Sequence, residues 1–307
     1  PATIRRRTRP VDYLAGSCGT PAASVTVGDM TLVEEPVGRL IRQWRERRRR
    51  SQLDVALAAR LSARHLSFVE TGRATPSRQM IERLCDELDV PLRERNAIYL
   101  AAGYAPRHRE RPLADLGAVR AAVDAVLAGH EPYPAVAVDV RWDVLASNRA
   151  MATFLAQVPD EFRTPRLNML RATLHPEGLA SRLRNYEQWR AHVVRRIRRQ
   201  LERTAAPGLA ELLAEVEAYS APSEVAPATT RDGDLVVPMV LDTDFGTLTL
   251  SYVLSVFGAP RDVTVDEIAV ESFFPADDVT RDILWSVSAH SQPSNAHGIH
   301  GSVGGKG

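Results

Sequence analysis

Positive charge in this chain is carried by 38 arginines and a single lysine, Lys306, and the arginines are unevenly spread. Residues 37–111 hold 17 arginines against 9 carboxylates, a net +8, whereas residues 219–290 hold 3 against 12, a net −9. The basic block is the part of the chain that a polyanion would prefer. The near-absence of lysine reads as the coding bias of a GC-rich bacterial genome, and it excludes lysine-based nucleophilic catalysis. Other catalytic patterns are missing: the sequence has no hydrolase elbow, no paired zinc-ligand helix and no phosphate-cradling glycine loop. His175-Pro176-Glu177 has the residue types for acid–base work, but a loop before a long helix accounts for it. His290, His297 and His300 could bind nickel or zinc weakly, but in a glycine-rich tail they read as incidental. Cys18 and Cys85 form neither a disulfide framework nor a metal site, so a reducing cytoplasm is expected. The expectation is a cytoplasmic protein that is not an enzyme, with no metal, no cofactor and no membrane span.

The elements that would present those arginines are legible. Ser51 to Gly72 reads as two short helices joined by a tight turn. Ser51 and Ser62 can cap them through their hydroxyls. Val55, Ala56 and Ala59 share one face of the first helix, and Leu66 and Val69 one face of the second. Gly72 stands where a helix ends in a left-handed residue. This is a helix-turn-helix pattern, which points to DNA. Around it, Val37, Leu40, Ile41 and Trp44 give a preceding helix running on through Arg45 to Arg50. Pro76-Ser77 opens a fourth helix with Met80, Ile81, Leu84, Cys85 and Leu88 inward, and Pro91 starts a fifth that Gly103 ends. The result is a five-helix domain over residues 36–105, with 106–112 as linker.

Beyond the linker the pattern changes. Leu116, Val119, Val123, Val126 and Leu127 form an amphipathic helix. Pro134 to Ser147 alternates as one strand, followed by a helix over Asn148 to Leu155. A long arginine-rich helix is expected over Glu177 to Glu202, and another over Leu209 to Tyr219. Its arginines 195, 196, 198 and 199, interleaved with Val194, Ile197 and Leu201, read as a solvated face rather than a second nucleic-acid surface. Strands follow at Leu235 to Leu241, Thr247 to Phe257 and Ile268 to Phe274, the first two joined by a hairpin turn at Asp242 to Gly246, and a short helix at Thr280 to Val287 closes the set. Residues 113–290 therefore read as an α+β domain with a small antiparallel sheet. Residues 1–35, with Arg5-Arg6-Arg7 and no initiating methionine, read as a disordered or non-native extension, a DNA-gripping arm being the sharper alternative. Residues 291–307 read as a disordered tail.

These stretches resemble known families. Residues 37–104 resemble the XRE-type helix-turn-helix domain shared with phage repressors, a lambda-repressor-like fold. The resemblance rests on Ala63-Arg64-His65-Leu66-Ser67-Phe68-Val69-Glu70-Thr71-Gly72-Arg73, Pro91-Leu92-Arg93-Glu94-Arg95-Asn96 and Ala101-Ala102-Gly103-Tyr104-Ala105-Pro106. Residues 113–288 resemble the MmyB-like ligand-binding domain of transcription regulators, a PAS-like fold. Here the matching residues are Trp142-Asp143-Val144-Leu145-Ala146-Ser147-Asn148, Asp262-Val263-Thr264 and Glu271-Ser272-Phe273-Phe274-Pro275-Ala276-Asp277. The resemblance implies a mainly α, two-domain bacterial transcription regulator. It places Gln52 against a phosphate and Ala63, Arg64, Ser67 and Phe68 against base edges in the major groove. Arg64 is the candidate for gripping both guanine acceptors, with His65 and Arg73 as phosphate contacts. Glu70, whose neighbours Leu66 and Val69 are core, is expected to pair with Arg45 of the first helix as scaffold rather than touch DNA, as the resemblance also implies. Arg60 departs from the family, which usually has glycine there, and that puts the geometry of the turn in question.

The second domain would supply an input. Trp142, Asn148, Phe154, Phe245, Leu248, Leu250, Tyr252 and Phe257 are candidates for lining a pocket for a small hydrophobic ligand, although strand residues with such alternation also serve as plain core and Asn148 also suits a helix cap. The alternative is a protein-interaction or dimerisation module without a ligand, its acidic surface recruiting a partner or docking on the basic DNA-binding face. Double-stranded operator DNA and a second copy of the chain are the expected partners.

Overall fold

The computed structural model describes residues 35–222 and 236–290; the expectations for the N-terminal extension and the C-terminal tail lie outside them. Five helices follow the basic block: α1 (Val37–Arg47), α2 (Gln52–Ala58), α3 (Ala63–Glu70), α4 (Arg78–Glu87) and α5 (Leu92–Ala101). They enclose one core built on Ile41, Trp44, Val55, Leu66, Val69, Ile81, Leu84 and Ile98. Serine caps start three of them. Ser51 and Asp54 exchange side-chain bonds to each other's backbone N–H, and Ser62 and Ser77 accept from His65 and Met80. Each cap satisfies a donor that the first helical turn leaves without a partner.

The same closing device ends all five helices. A residue beyond the helix donates its N–H back to a carbonyl five positions earlier: Arg50 to Arg45 (3.1 Å), Leu61 to Ala56 (2.7 Å), Arg73 to Phe68 (2.8 Å), Val90 to Cys85 (2.9 Å) and Tyr104 to Tyr99 (2.9 Å). The residue between is left-handed each time: Arg49 (φ 54°), Arg60 (55°), Gly72 (74°), Asp89 (47°) and Gly103 (78°). Arg60 thus keeps the turn that a glycine would make and carries the strain of a side chain at positive φ. Arg60→Gly is expected to raise folding stability by about 1 kcal/mol, seen as a higher urea midpoint at unchanged slope. An unchanged or lower midpoint would mean that the Arg60 side chain contributes as much as its backbone loses.

The remaining elements are α6 (Gly117–Gly129), β1 (Ala135–Val138), β2 (Val144–Ser147), α7 (Arg149–Leu155), α8 (Met169–Leu174), α9 (Tyr186–Thr204), α10 (Leu209–Ala218), β3 (Met239–Thr243), β4 (Gly246–Val256), α11 (Val263–Asp266), β5 (Ala269–Pro275) and α12 (Asp278–His290). The strands form one antiparallel sheet in the order β2-β1-β5-β4-β3. β1 is buried at every position. Val136 and Val138 enter the main core, while Ala135 and Ala137 join a second cluster with Val123 and Leu127 of α6 on the opposite face. A β3–β4 hairpin turns at Asp244-Phe245, as the sequence suggested.

Two expectations are corrected. The single strand over 134–147 is broken into β1 and β2. The Asp139 carboxylate accepts from the N–H groups of Arg141 (2.8 Å) and Asp143 (3.0 Å), and Trp142 adopts φ 71°, so the chain reverses at this point. The long helix begins at Tyr186 rather than Glu177 because the preceding backbone bonds to β3 instead. Arg184 donates to the Val240 carbonyl (2.9 Å), and the Asn185 amide accepts from Val240 N–H (3.0 Å) and donates to Pro238 (2.8 Å). The short helix α8, capped by Asn168, was not foreseen.

Candidate functional site: the second hairpin helix and an apolar cavity

α3 leaves Arg64 and His65 exposed, with Ala63, Ser67 and Phe68 half-buried beside them and Arg73 exposed just past Gly72. The Arg64 guanidinium lies over the Phe68 ring, 5.3 Å from its centroid, one helical turn away. That contact restricts the Arg64 side chain before any partner arrives. Beneath this face sits the expected ion pair. Arg45 donates from Nε (2.7 Å) and Nη2 (2.9 Å) to the two oxygens of Glu70, whose side chain is 2% exposed. Arg45 also donates to the Arg50 carbonyl (2.9 Å), and the Glu70 bonds raise its already high pKa further.

Gln52 turns out to belong to this cluster: its amide donates to Glu70 Oε2 at 2.8 Å. One of its two N–H donors is committed there, and one remains for the phosphate contact expected of it. Gly38 carries a role that the sequence reading missed. α1 crosses the end of α3 so closely that a Cβ on Gly38 would lie 2.1 Å from the Val69 carbonyl oxygen. A glycine inside an otherwise good helix was the available signal.

In the α+β domain, a cavity of about 60 Å³ lies between the sheet and helices α7, α8 and α9. Trp142, Phe154, Leu248, Leu250 and Tyr252 line it as expected, together with Met169, Trp189 and Val193. The other three candidates are elsewhere. Asn148 caps α7 and stitches β1, accepting from Met151 (2.9 Å) and Ala135 (3.0 Å) and donating to Tyr133 (2.7 Å). Phe245 is exposed at the tip of the β3–β4 hairpin, because the two-residue turn leaves it outside the sheet. Phe257 packs on the opposite sheet face with the α6 cluster.

One end of the cavity is polar. Arg196 stacks between Trp142 (4.2 Å) and Tyr252 (4.9 Å) and donates from Nη1 to Glu271 at 2.6 Å. Burial raises the pKa of Glu271 against the pull of Arg196. His192, whose ring nitrogen lies 2.7 Å from the Tyr252 hydroxyl, is held below its usual pKa by burial and then by Arg196. His175, considered for acid–base chemistry from the sequence, orders its loop instead: Nδ1 accepts from Glu177 N–H (3.2 Å), and its ring packs on Phe162 and Tyr219.

A cavity walled by sheet and helices, in the same chain as a capped helical hairpin, matches two family models. Residues 36–98 match a helix-turn-helix domain. Residues 119–285, more than half of the chain, match the ligand-binding domain of MmyB-like transcription regulators. The chain belongs to this family. The transcriptional regulator ClgR of Mycobacterium tuberculosis, from strains H37Rv and CDC 1551, is 34% identical over 80 residues, 26% of this chain and 69% of the relative. The protein is therefore a helix-turn-helix, DNA-binding transcription regulator with an MmyB-like ligand-binding domain. Among the described residues, no helix is long and apolar enough to cross a membrane.

In this MmyB-like regulator the two parts are joined by specific bonds. Arg47 donates to the Leu201 carbonyl (2.8 Å), and Arg48 to those of Glu202 (3.3 Å) and Arg203 (3.0 Å), so arginines at the end of α1 hold the negative end of α9. Asp266 Oδ2 accepts from Leu92 N–H (3.0 Å) at the start of α5, and the two oxygens of Glu267 accept from Arg93 Nε and Nη2 (2.6 and 2.9 Å). The linker is strapped to α11 through Arg109 and Arg111. Acidic residues of the second domain thus dock on the basic one, as the charge imbalance suggested, but against α5 rather than α3.

Proposed function

We propose that this regulator binds an operator sequence through α3, as a homodimer on two half-sites, and that a small apolar ligand in the sheet cavity adjusts that binding. The observation supporting the coupling is the placement of α9. Trp189, Val193 and Arg196 of this helix line the cavity, and its last carbonyls are held by Arg47 and Arg48 at the end of α1. A ligand that shifts α9 changes what α1 rests on, and α1 carries the Arg45 that fixes Glu70 at the end of α3. Arg64 reads a guanine, with His65 and Arg73 on phosphates.

The test is a mobility shift of the full-length protein on DNA from beside its own gene, with and without an organic-solvent extract of the host cells. Wild type is expected to change operator affinity several-fold with the extract, and Arg47→Ala/Arg48→Ala to bind the operator without responding. A wild-type response of the same size in the double variant would overturn the coupling through α9. Arg64→Ala is expected to lose about 1–3 kcal/mol at one base position and to relax specificity there. Uniform weakening across all sequences would reassign Arg64 to a phosphate.

A further inference from the structure

A second concavity lies on the other side of Trp142 and Arg196, where α9 overhangs β4 and the start of β5, and it encloses about 280 Å³. Its wall is Arg196, Arg199 and Arg203, which share one face of α9. Its floor is apolar, and two of the floor residues are exposed in a strand: Leu254 at 39% and Val256 at 66%. Three carboxylates also border it, and each is already engaged: Asp139 by the Arg141 and Asp143 N–H groups, Asp266 by Leu92 N–H and Glu267 by Arg93. Arg196 is held by Glu271 from the cavity side. The guanidinium groups of Arg199 and Arg203, by contrast, have no hydrogen-bond or ion-pair partner among the described residues.

We infer that this cleft is a separate binding site for a small organic anion with a doubly charged head and an apolar body, a phosphate monoester being the simplest class. Two unpaired guanidinium forks match the charge and geometry of a dianionic phosphate. The apolar floor gives the body of such a molecule a surface to leave water on. A purely solvated arginine face would need neither the floor nor the overhang. The cleft also adjoins the contact between the two parts of the chain, because the Arg203 carbonyl is itself held by Arg48, just past α1. The inference is independent of the apolar cavity, which need hold nothing for the cleft to fill.

Calorimetry on the full-length protein at low ionic strength tests it with three probes: hexyl phosphate, inorganic phosphate and hexanol. Hexyl phosphate is expected to bind one to one and at least tenfold more tightly than inorganic phosphate, with no heat from hexanol. Arg199→Gln/Arg203→Gln is expected to weaken it at least tenfold at an unchanged melting temperature. Arg195→Gln, which removes an exposed α9 charge outside the cleft, is expected to leave it unchanged. Should the double variant unfold, Arg199→Lys keeps the charge without the fork and is expected to lose at least threefold. Absence of hexyl phosphate binding, equal weakening by Arg195→Gln, or hexanol binding as tight as hexyl phosphate would each overturn the site.

Discussion

Glu70→Ala is expected to lower folding stability by about 3 kcal/mol or more, the range for removing one partner of a buried ion pair. The carboxylate accepts three bonds, from Arg45 Nε and Nη2 and from Gln52. Without it, the Arg45 guanidinium stays charged in a pocket where its side chain is 12% exposed, with only the Arg50 and Glu46 contacts left to it. Gln52 loses its acceptor as well. Urea unfolding gives the size of the effect. A loss below about 1 kcal/mol would put the pair in the class of solvent-screened surface bridges. Because Gln52 opens α2 and Arg45 sits on α1, the same carboxylate fixes how three helices meet.

Gly38→Ala is the second large effect, and its sign runs against helix propensity. In an exposed helix interior, alanine in place of glycine stabilises by about 1 kcal/mol. Here the new Cβ would stand 2.1 Å from the Val69 carbonyl oxygen and 3.1 Å from the Glu70 carbonyl carbon, both backbone atoms that cannot rotate away. The helices α1 and α3 must move apart, at a cost of about 1–3 kcal/mol for overpacking. The displaced element is the one that carries Arg64, so operator affinity is expected to fall at least tenfold as well. Urea midpoints and mobility shifts together check this. A stabilised Gly38→Ala protein would show that α1 and α3 do not touch at this point.

How much of this was legible in the sequence depended on the range of the interaction. Helix ends were readable because caps and left-handed closures are local: Ser51, Ser62, Ser77 and Gly72 each act within a few residues. The Arg45–Glu70 pair was readable from Leu66 and Val69 being core on either side, with the family resemblance in agreement, and Arg45 donates to Glu70 in the structure. The misplaced cavity residues have separate causes. Phe245 falls in the two-residue turn of the β3–β4 hairpin, Phe257 follows the end of β4 and packs with the α6 cluster, and Asn148 commits its amide to the α7 cap and to β1. The break of the strand expected over 134–147 rests on the Asp139 carboxylate accepting backbone N–H groups, which alternation alone could not reveal. The start of α9 was missed for a similar reason: residues 183–185 give their bonds to a strand some fifty-five positions away.

The position of α9, with one stretch lining the cavity and its end gripped by α1, has a consequence on the DNA side of the equilibrium. Thermodynamic linkage is reciprocal for binding free energies. Whatever factor a cavity ligand imposes on operator affinity, the operator imposes on the ligand. A promoter would then be more than the regulator's target. Molecules seated on it would take up or give off the small molecule at a different concentration from their neighbours free in solution, and the occupied operator would itself set the threshold to which its own gene responds.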